Sequence, residues 1–300
     1  MKKLYNKINT LWLSYRRWGN SNILGYLVTS LIRVIVITTI GIILFYGLFI
    51  IGPFKNVEGP VATGVAQEDC NITGINLHGT LATYIPSHAE GDTLFNYDSV
   101  SSEDILWSIK QANNNPKIKA IVIETDSSGG SPIAGEEIAA AVKNSEKLVI
   151  SFIRDIGASS SYWAISTSDK ILASKNSEVG SIGITMSYVS NSKKNEKDGL
   201  NYEQLSSGKF KDSGSPDLPL TEEERNLFMR DIKIMYQNFV EAISNNRNIP
   251  IDKVESIADG SMVLGEKALE LNLIDGIGGI NEVEQLLKQE IGEEPSICWE

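Results

Sequence analysis

Ala120-Ile121-Val122-Ile123-Glu124-Thr125, followed at once by Asp126-Ser127-Ser128-Gly129-Gly130, is the stretch on which the fold turns. An apolar, β-branched run that ends in a glycine pair reads as a buried strand running into a tight turn. Downstream, Ala134 to Lys143 is predicted helical, with Glu136 and Glu137 early, where negative charge suits the helix dipole. Leu148 to Ile153 is again apolar and β-rich, Ser159 to Ser166 starts a helix, and Lys170-Ile171-Leu172-Ala173 is a short strand. This β-α-β-α order predicts a layered α/β domain with a largely parallel sheet.

Upstream of the opening stretch, Ile72 to Leu77 reads as a strand. Ser102 to Asn113 reads as a helix, with Ile105, Leu106, Ile109 and Ala112 on one face and Ser102 as N-cap. Toward the C-terminus, Thr221 to Asn245 carries a strong helical pattern that opens on a Thr221–Glu224 capping box. Ala268 to Leu273 and Ile280 to Leu287 are further helical segments. There is no internal repeat.

Charge divides the chain. Met1 to Arg33 holds Lys2, Lys3, Lys7, Arg16, Arg17 and Arg33 and no acid, so against a total of −11 the remainder carries −11 − 6 = −17. An acidic remainder argues against a nucleic-acid partner, which needs a basic face. Residues 34–54 carry no charge, and 21 residues suffice to cross a hydrocarbon core of about 30 Å as a helix. The positive-inside rule places the N-terminus in the cytoplasm and the large domain outside. The rival is a cleaved signal peptide ending near Gly64-Val65-Ala66, but the apolar run exceeds an h-region of about 7–15 residues. Leu4, Ile8, Leu11, Trp12, Tyr15 and Trp18 recur at helical spacing among basic residues; that pattern reads equally as a membrane-surface helix or as a basic leader. The expected organisation is a basic leader (1–33), a transmembrane helix (34–54), a linker (55–70), a catalytic domain (71–290) and a C-terminal tail (291–300).

Cys70 and Cys298 are either a bridge in an oxidising compartment or two unpaired thiols. His78 and His88 are the only histidines and the cysteines are not clustered, so neither a metal site nor a cofactor is expected.

Three segments carry candidate chemistry. Gly129 and Gly130 end a strand and precede a helix, where backbone N–H groups can face an oxyanion; many Gly-Gly turns do no more than turn. Ser159, in Gly157-Ala158-Ser159-Ser160-Ser161-Tyr162-Trp163-Ala164, lies at a helix start, with the Ser160 amide as a second oxyanion donor. The plainer reading of Ser159 is an N-cap. Lys209 and Lys211 stand in Ser207-Gly208-Lys209-Phe210-Lys211-Asp212; a lysine acts as a base only where its surroundings lower its pKa, and Phe210 offers apolar cover.

From about Asn71 to Leu286 the chain resembles signal peptide peptidase A in its short bacterial form. The resemblance rests on the strand before Asp126-Ser127-Ser128-Gly129-Gly130, on Gly-Ala-Ser-Ser-Ser-Tyr-Trp, and on Ser168-Asp169-Lys170-Ile171-Leu172-Ala173. It rests further on Val179-Gly180-Ser181-Ile182-Gly183, the lysine segment and Ile257-Ala258-Asp259-Gly260. It implies a crotonase-like, ClpP-like fold and a Ser/Lys-dyad serine protease. Ser159 matches the nucleophile, Lys211 the general base and Gly130 the oxyanion glycine, with Gly180 and Ser181 in a loop beside the site. Two departures bear on loop geometry. Asp126-Ser127-Ser128 stands where the family has Asn-Ser-Pro, and Ser160-Ser161 where it has Gly-Gly. The resemblance also implies signal-peptide remnants as substrates and a homo-oligomer whose Ser and Lys come from neighbouring subunits. The rivals are an acyl-CoA enzyme, disfavoured by the external location, and a catalytically silent scaffold.

Overall fold

Strand-forming runs lie side by side in the computed structural model, which describes residues 27–28, 30–31, 34–42, 70–85 and 99–300. The chain divides into two units between Val65 and Ala66. In the first, residues 34–42 are helical with Val34, Ile37 and Ile42 exposed, and Thr39 Oγ donates to the carbonyl of Ile35 at 2.5 Å. Among the described residues no helix is long and apolar enough to cross a membrane. The expected span 34–54 is described only to residue 42; nearly all of the leader and of the linker lies outside the described residues.

The second unit runs β1 (Ile72–Ala82), β2 (Ser99–Ser101), α1 (Ser102–Asn114), β3 (Ala120–Gly130), α2 (Pro132–Lys143), β4 (Leu148–Ala158), α3 (Ser160–Ile165), β5 (Lys170–Ala173) and β6 (Glu178–Gly180). It continues through α4 (Ser192–Lys197), α5 (Glu222–Arg247), α6 (Ile251–Glu255), β7 (Met262–Leu264), α7 (Gly265–Glu270), β8 (Gly276–Ile277), α8 (Ile280–Ile291) and β9 (Ile297–Trp299). The strand order is β2-β1-β3-β4-β5-β8; β9 joins the start of β1, β6 joins the end of β4, and only β7, on β6, is antiparallel among the described strands. The result is an α/β fold on a mostly parallel sheet, as the alternation of runs predicts.

Period-two alternation gives each strand two apolar faces. Ile121 and Ile123 of β3 and Val149 and Ile153 of β4 join a large core with Ile105, Ile109, Ile138, Tyr162 and Phe239. Ala120, Val122, Ile150 and Phe152 point the other way, onto Val283 and Leu287 of α8. Beyond the cover of α8 that second face turns polar: Glu124 accepts from Arg154 at 3.0 Å and lies 3.1 Å from His78 Nε2.

Both central strands outrun the apolar stretches that announce them. β3 continues to Gly130 and β4 to Ala158, past register shifts at Thr125/Ser127 in one and His78/Thr80 in its neighbour. Asp126 to Gly130 is therefore strand end, because its polar residues still find ladder partners. The N-cap of α1 is Ser101, whose side chain accepts from the Asp104 N–H, and not Ser102. Ser102 is buried, with its hydroxyl donating to Glu137 at 2.5 Å. The Thr221–Glu224 capping box of α5 is present. Helix α7 starts earlier than expected, at Gly265, and ends at Glu270. Residues 291–300, expected as a tail, carry β9 and one half of a disulfide: Cys70 and Cys298 are bonded, which joins two ends of the domain 228 residues apart.

Candidate active site

The parallel strands bring their C-terminal ends to one edge of the sheet, where open α/β folds bind ligands. Ser159 stands there between β4 and α3 with φ +56° and ψ −129°, a conformation a non-glycine residue adopts only under constraint. It is the N-cap residue of α3, its carbonyl accepting from the Trp163 N–H at 3.0 Å, but its side chain makes no capping bond; its backbone N–H donates to Gly180 of β6 at 2.7 Å. The half-exposed hydroxyl-bearing residue is thus pinned by backbone on both sides.

Gly129 packs against it so closely that a Cβ there would lie 2.8 Å from Ser159 Cβ and 3.0 Å from the Ser160 nitrogen. Gly130, Ser159 and Ser181 line a cleft of about 440 Å³, together with Pro132, Gly183, Ile184, Thr185, Tyr236, Ala258, Asp259 and Gly260. Ser181, with φ +50°, binds the far wall: its N–H donates to Ser261 at 2.9 Å and its hydroxyl to Gly260 at 3.0 Å.

The residues after Ser159 are buried. Ser160 Oγ has no hydrogen-bond partner among the described residues. Ser161 Oγ lies 2.7 Å from the carbonyls of Ser127 and of Ala158, and accepts from the Ala158 N–H at 2.9 Å. Ser127 Oγ in turn donates to Gly79 at 2.5 Å and accepts from the Gly129 N–H at 3.1 Å. Tyr162 donates to the Leu273 carbonyl at 2.7 Å beside the Arg247–Asp275 ion pair, and burial pushes its phenol well above the ordinary tyrosine range.

Sequence distance thus collapses for Gly129, Gly130, Ser159, Ser160, Gly180 and Ser181, which form one neighbourhood. Lys211 is not in it. It is exposed, on the turn after Gly208, and does not line the cleft. Lys209 is engaged: its ammonium pairs with Glu223 at 2.7 Å and lies 5.3 Å from the Phe210 ring centre. Lys211 carries no such pairing among the described residues. Tyr236 and Asp259 were not singled out as site residues from the sequence. A helix midpoint and a turn about 100 residues beyond Ser159 carry no local signal of a shared wall.

Comparison with known proteins identifies a family. The model of peptidase family S49 matches residues 141–293. A protein of Methanocaldococcus jannaschii is 30% identical over 67% of this chain and 65% of its own length. The Arabidopsis thaliana protein named serine protease SPPA, chloroplastic, is 31% identical over 64% of this chain and 29% of its own. Protease 4 of Haemophilus influenzae is 28% identical over 73% of this chain and 35% of its own. The chain therefore spans about a third to two thirds of the length of these curated relatives.

Proposed function

Because this chain belongs to peptidase family S49, we propose that it is a membrane-anchored serine endopeptidase of the signal peptide peptidase A type, with the crotonase-like, ClpP-like fold of that type. The observation that carries the reading is Ser159, held at φ +56° on the wall of a cleft it shares with Gly130. A base takes the Ser159 proton as its oxygen attacks a peptide carbonyl, and the Gly130 and Ser160 amides receive the oxyanion; the C–N bond then breaks as the base passes that proton to the leaving amine, and water hydrolyses the acyl ester to free Ser159.

The general base is Lys211, delivered by a second copy of the chain. Among the described residues of one chain no lysine lines the cleft, and Lys211 is exposed. The segment that carries it is polar overall but leaves Val189, Leu200, Leu205 and Phe210 exposed, Leu205 to 89%. The first half of α5 adds exposed Met229 and Ile234. Such a surface supports a homo-oligomer in which a neighbouring copy covers the lysine and shields it from water. The Cys70–Cys298 bond fits an oxidising compartment outside the inner membrane, with signal-peptide remnants as substrates.

The position of Lys211 outside the cleft of its own chain favours one rival, a silent scaffold. A fluorophosphonate probe decides between them. The enzyme reading requires labelling that Ser159→Ala abolishes and Lys211→Ala slows by orders of magnitude, since such groups act as a unit. Co-assembly of the two variants should restore part of the activity. Unlabelled wild type, or labelling that survives Ser159→Ala, overturns the assignment.

A further inference from the structure

Asp259 is the only charged side chain that lines the cleft of Ser159 among the described residues. Backbone bonds tie it to the nucleophile. The Ser159 N–H donates to Gly180 at 2.7 Å; the next residue, Ser181, donates from its N–H to Ser261 at 2.9 Å and from its hydroxyl to Gly260 at 3.0 Å. The Gly260 N–H donates to Ile182 at 3.1 Å. The turn that presents Asp259 therefore moves with the strand that holds Ser159.

The carboxylate divides its work between its oxygens. Oδ1 accepts from Ser261 Oγ at 2.5 Å and from the Ser261 N–H at 2.9 Å. These bonds hold the carboxyl below the usual carboxylate range, so it is anionic at neutral pH. Oδ2 has no protein partner among the described residues, and no lysine or arginine pairs with the group. The remaining wall is neutral, a mixture of apolar Pro132, Ile184 and Ala258 with Ser181, Thr185 and Tyr236. A single anion on such a wall focuses its field into the cleft.

We propose that Asp259 is a specificity-determining residue that receives a cationic group of the bound peptide, either a Lys or Arg side chain or a free terminal ammonium, through Oδ2. The inference rests on the peptidase reading of the same cleft. It deepens that reading, because the leading segment of a signal peptide is positively charged. A charge-assisted bond at an open rim gives a preference on the order of three- to tenfold.

The test uses the full chain in detergent and one peptide series. A Lys near the scissile bond is exchanged for norleucine, and the N-terminus is free or acetylated. The wild type should favour at least one cationic member about three- to tenfold in kcat/KM. The Lys exchange and the acetylation tell which cation is read. In Asp259→Asn, where Oδ1 still accepts from Ser261, that ratio should fall toward one. Equal kcat/KM across the wild-type series, or a preference that survives Asp259→Asn, overturns the proposal. If no peptide is cleaved, anisotropy of dye-labelled peptides on the Ser159→Ala chain decides. Tighter binding of the cationic peptide keeps Asp259 as the reader while the peptidase reading fails, and equal binding removes both.

Discussion

The Ser161 hydroxyl lies 2.7 Å from the Ser127 carbonyl, a buried bridge from the turn after Ser159 to the strand that ends in Gly129-Gly130. Ser127 carries the link onward to Gly79 of β1. Three neighbouring strands are thus joined, beyond their register shifts, by two serine side chains.

Ser161→Ala should therefore cost about 1–3 kcal/mol, because the buried Ala158 N–H loses its acceptor. Chemical denaturation measures the loss. On the proposed function, fluorophosphonate labelling of Ser159 should slow as well, because the bridge spaces Ser159 from the glycine pair.

Ser160→Ala should behave oppositely. Its Oγ is buried without a partner, so removing it costs no hydrogen bond and leaves the amide in place. Melting temperature should hold or rise slightly, and labelling should persist. A large loss of labelling would show that the hydroxyl, not the amide, matters.

Gly135→Ala should damage the site from behind. A Cβ on that turn of α2 would lie 2.5 Å from the Ser160 carbonyl oxygen and 3.0 Å from Ser160 Cβ. Backbone cannot rotate away as a side chain can, so α2 or α3 must shift, at about 1–3 kcal/mol. Loss of both stability and labelling is expected, read by chemical denaturation and by the fluorophosphonate probe.

Tyr162→Phe leaves the Leu273 carbonyl without its donor and should cost about 1–3 kcal/mol. It should also change the alkaline limb of stability. Burial raises the folded-state phenol pKa above its unfolded value near 10.0. The unfolded chain therefore loses that proton first. Stability is full below the unfolded value and falls as pH rises beyond it. Denaturation curves between neutral and alkaline pH should fall less steeply for Tyr162→Phe than for the wild type.

Cys298→Ser, or reduction, should destabilise the domain by about 2–5 kcal/mol, since the bond constrains residues 228 apart. The loss belongs to the edge formed by β9 on β1, so fluorophosphonate labelling of the folded fraction should change little.

Local pattern made most of the framework readable. Apolar β-branched runs announced β3, β4 and β5, and the Thr221–Glu224 pair announced the start of α5 to within a residue. What it hid were elements held by partners rather than by composition. The polar ends of β3 and β4 are strand because neighbouring strands continue beside them. Strand β9 exists because Cys298 is tied to Cys70 and Ile297 finds Ile72. Ser101 rather than Ser102 caps α1 because Glu137, from another helix, captures the Ser102 hydroxyl.

By itself the sequence determined the α/β alternation, the excess of acid beyond the basic leader, and which serine and glycines merit attention, because hydrophobic period and backbone-special residues are local properties. Only the tertiary structure decided that Ser159 is strained, that Asp259 shares its wall, and that Lys211 stands outside the cleft of its own chain. Those are distances between segments far apart in the chain, and packing alone sets them.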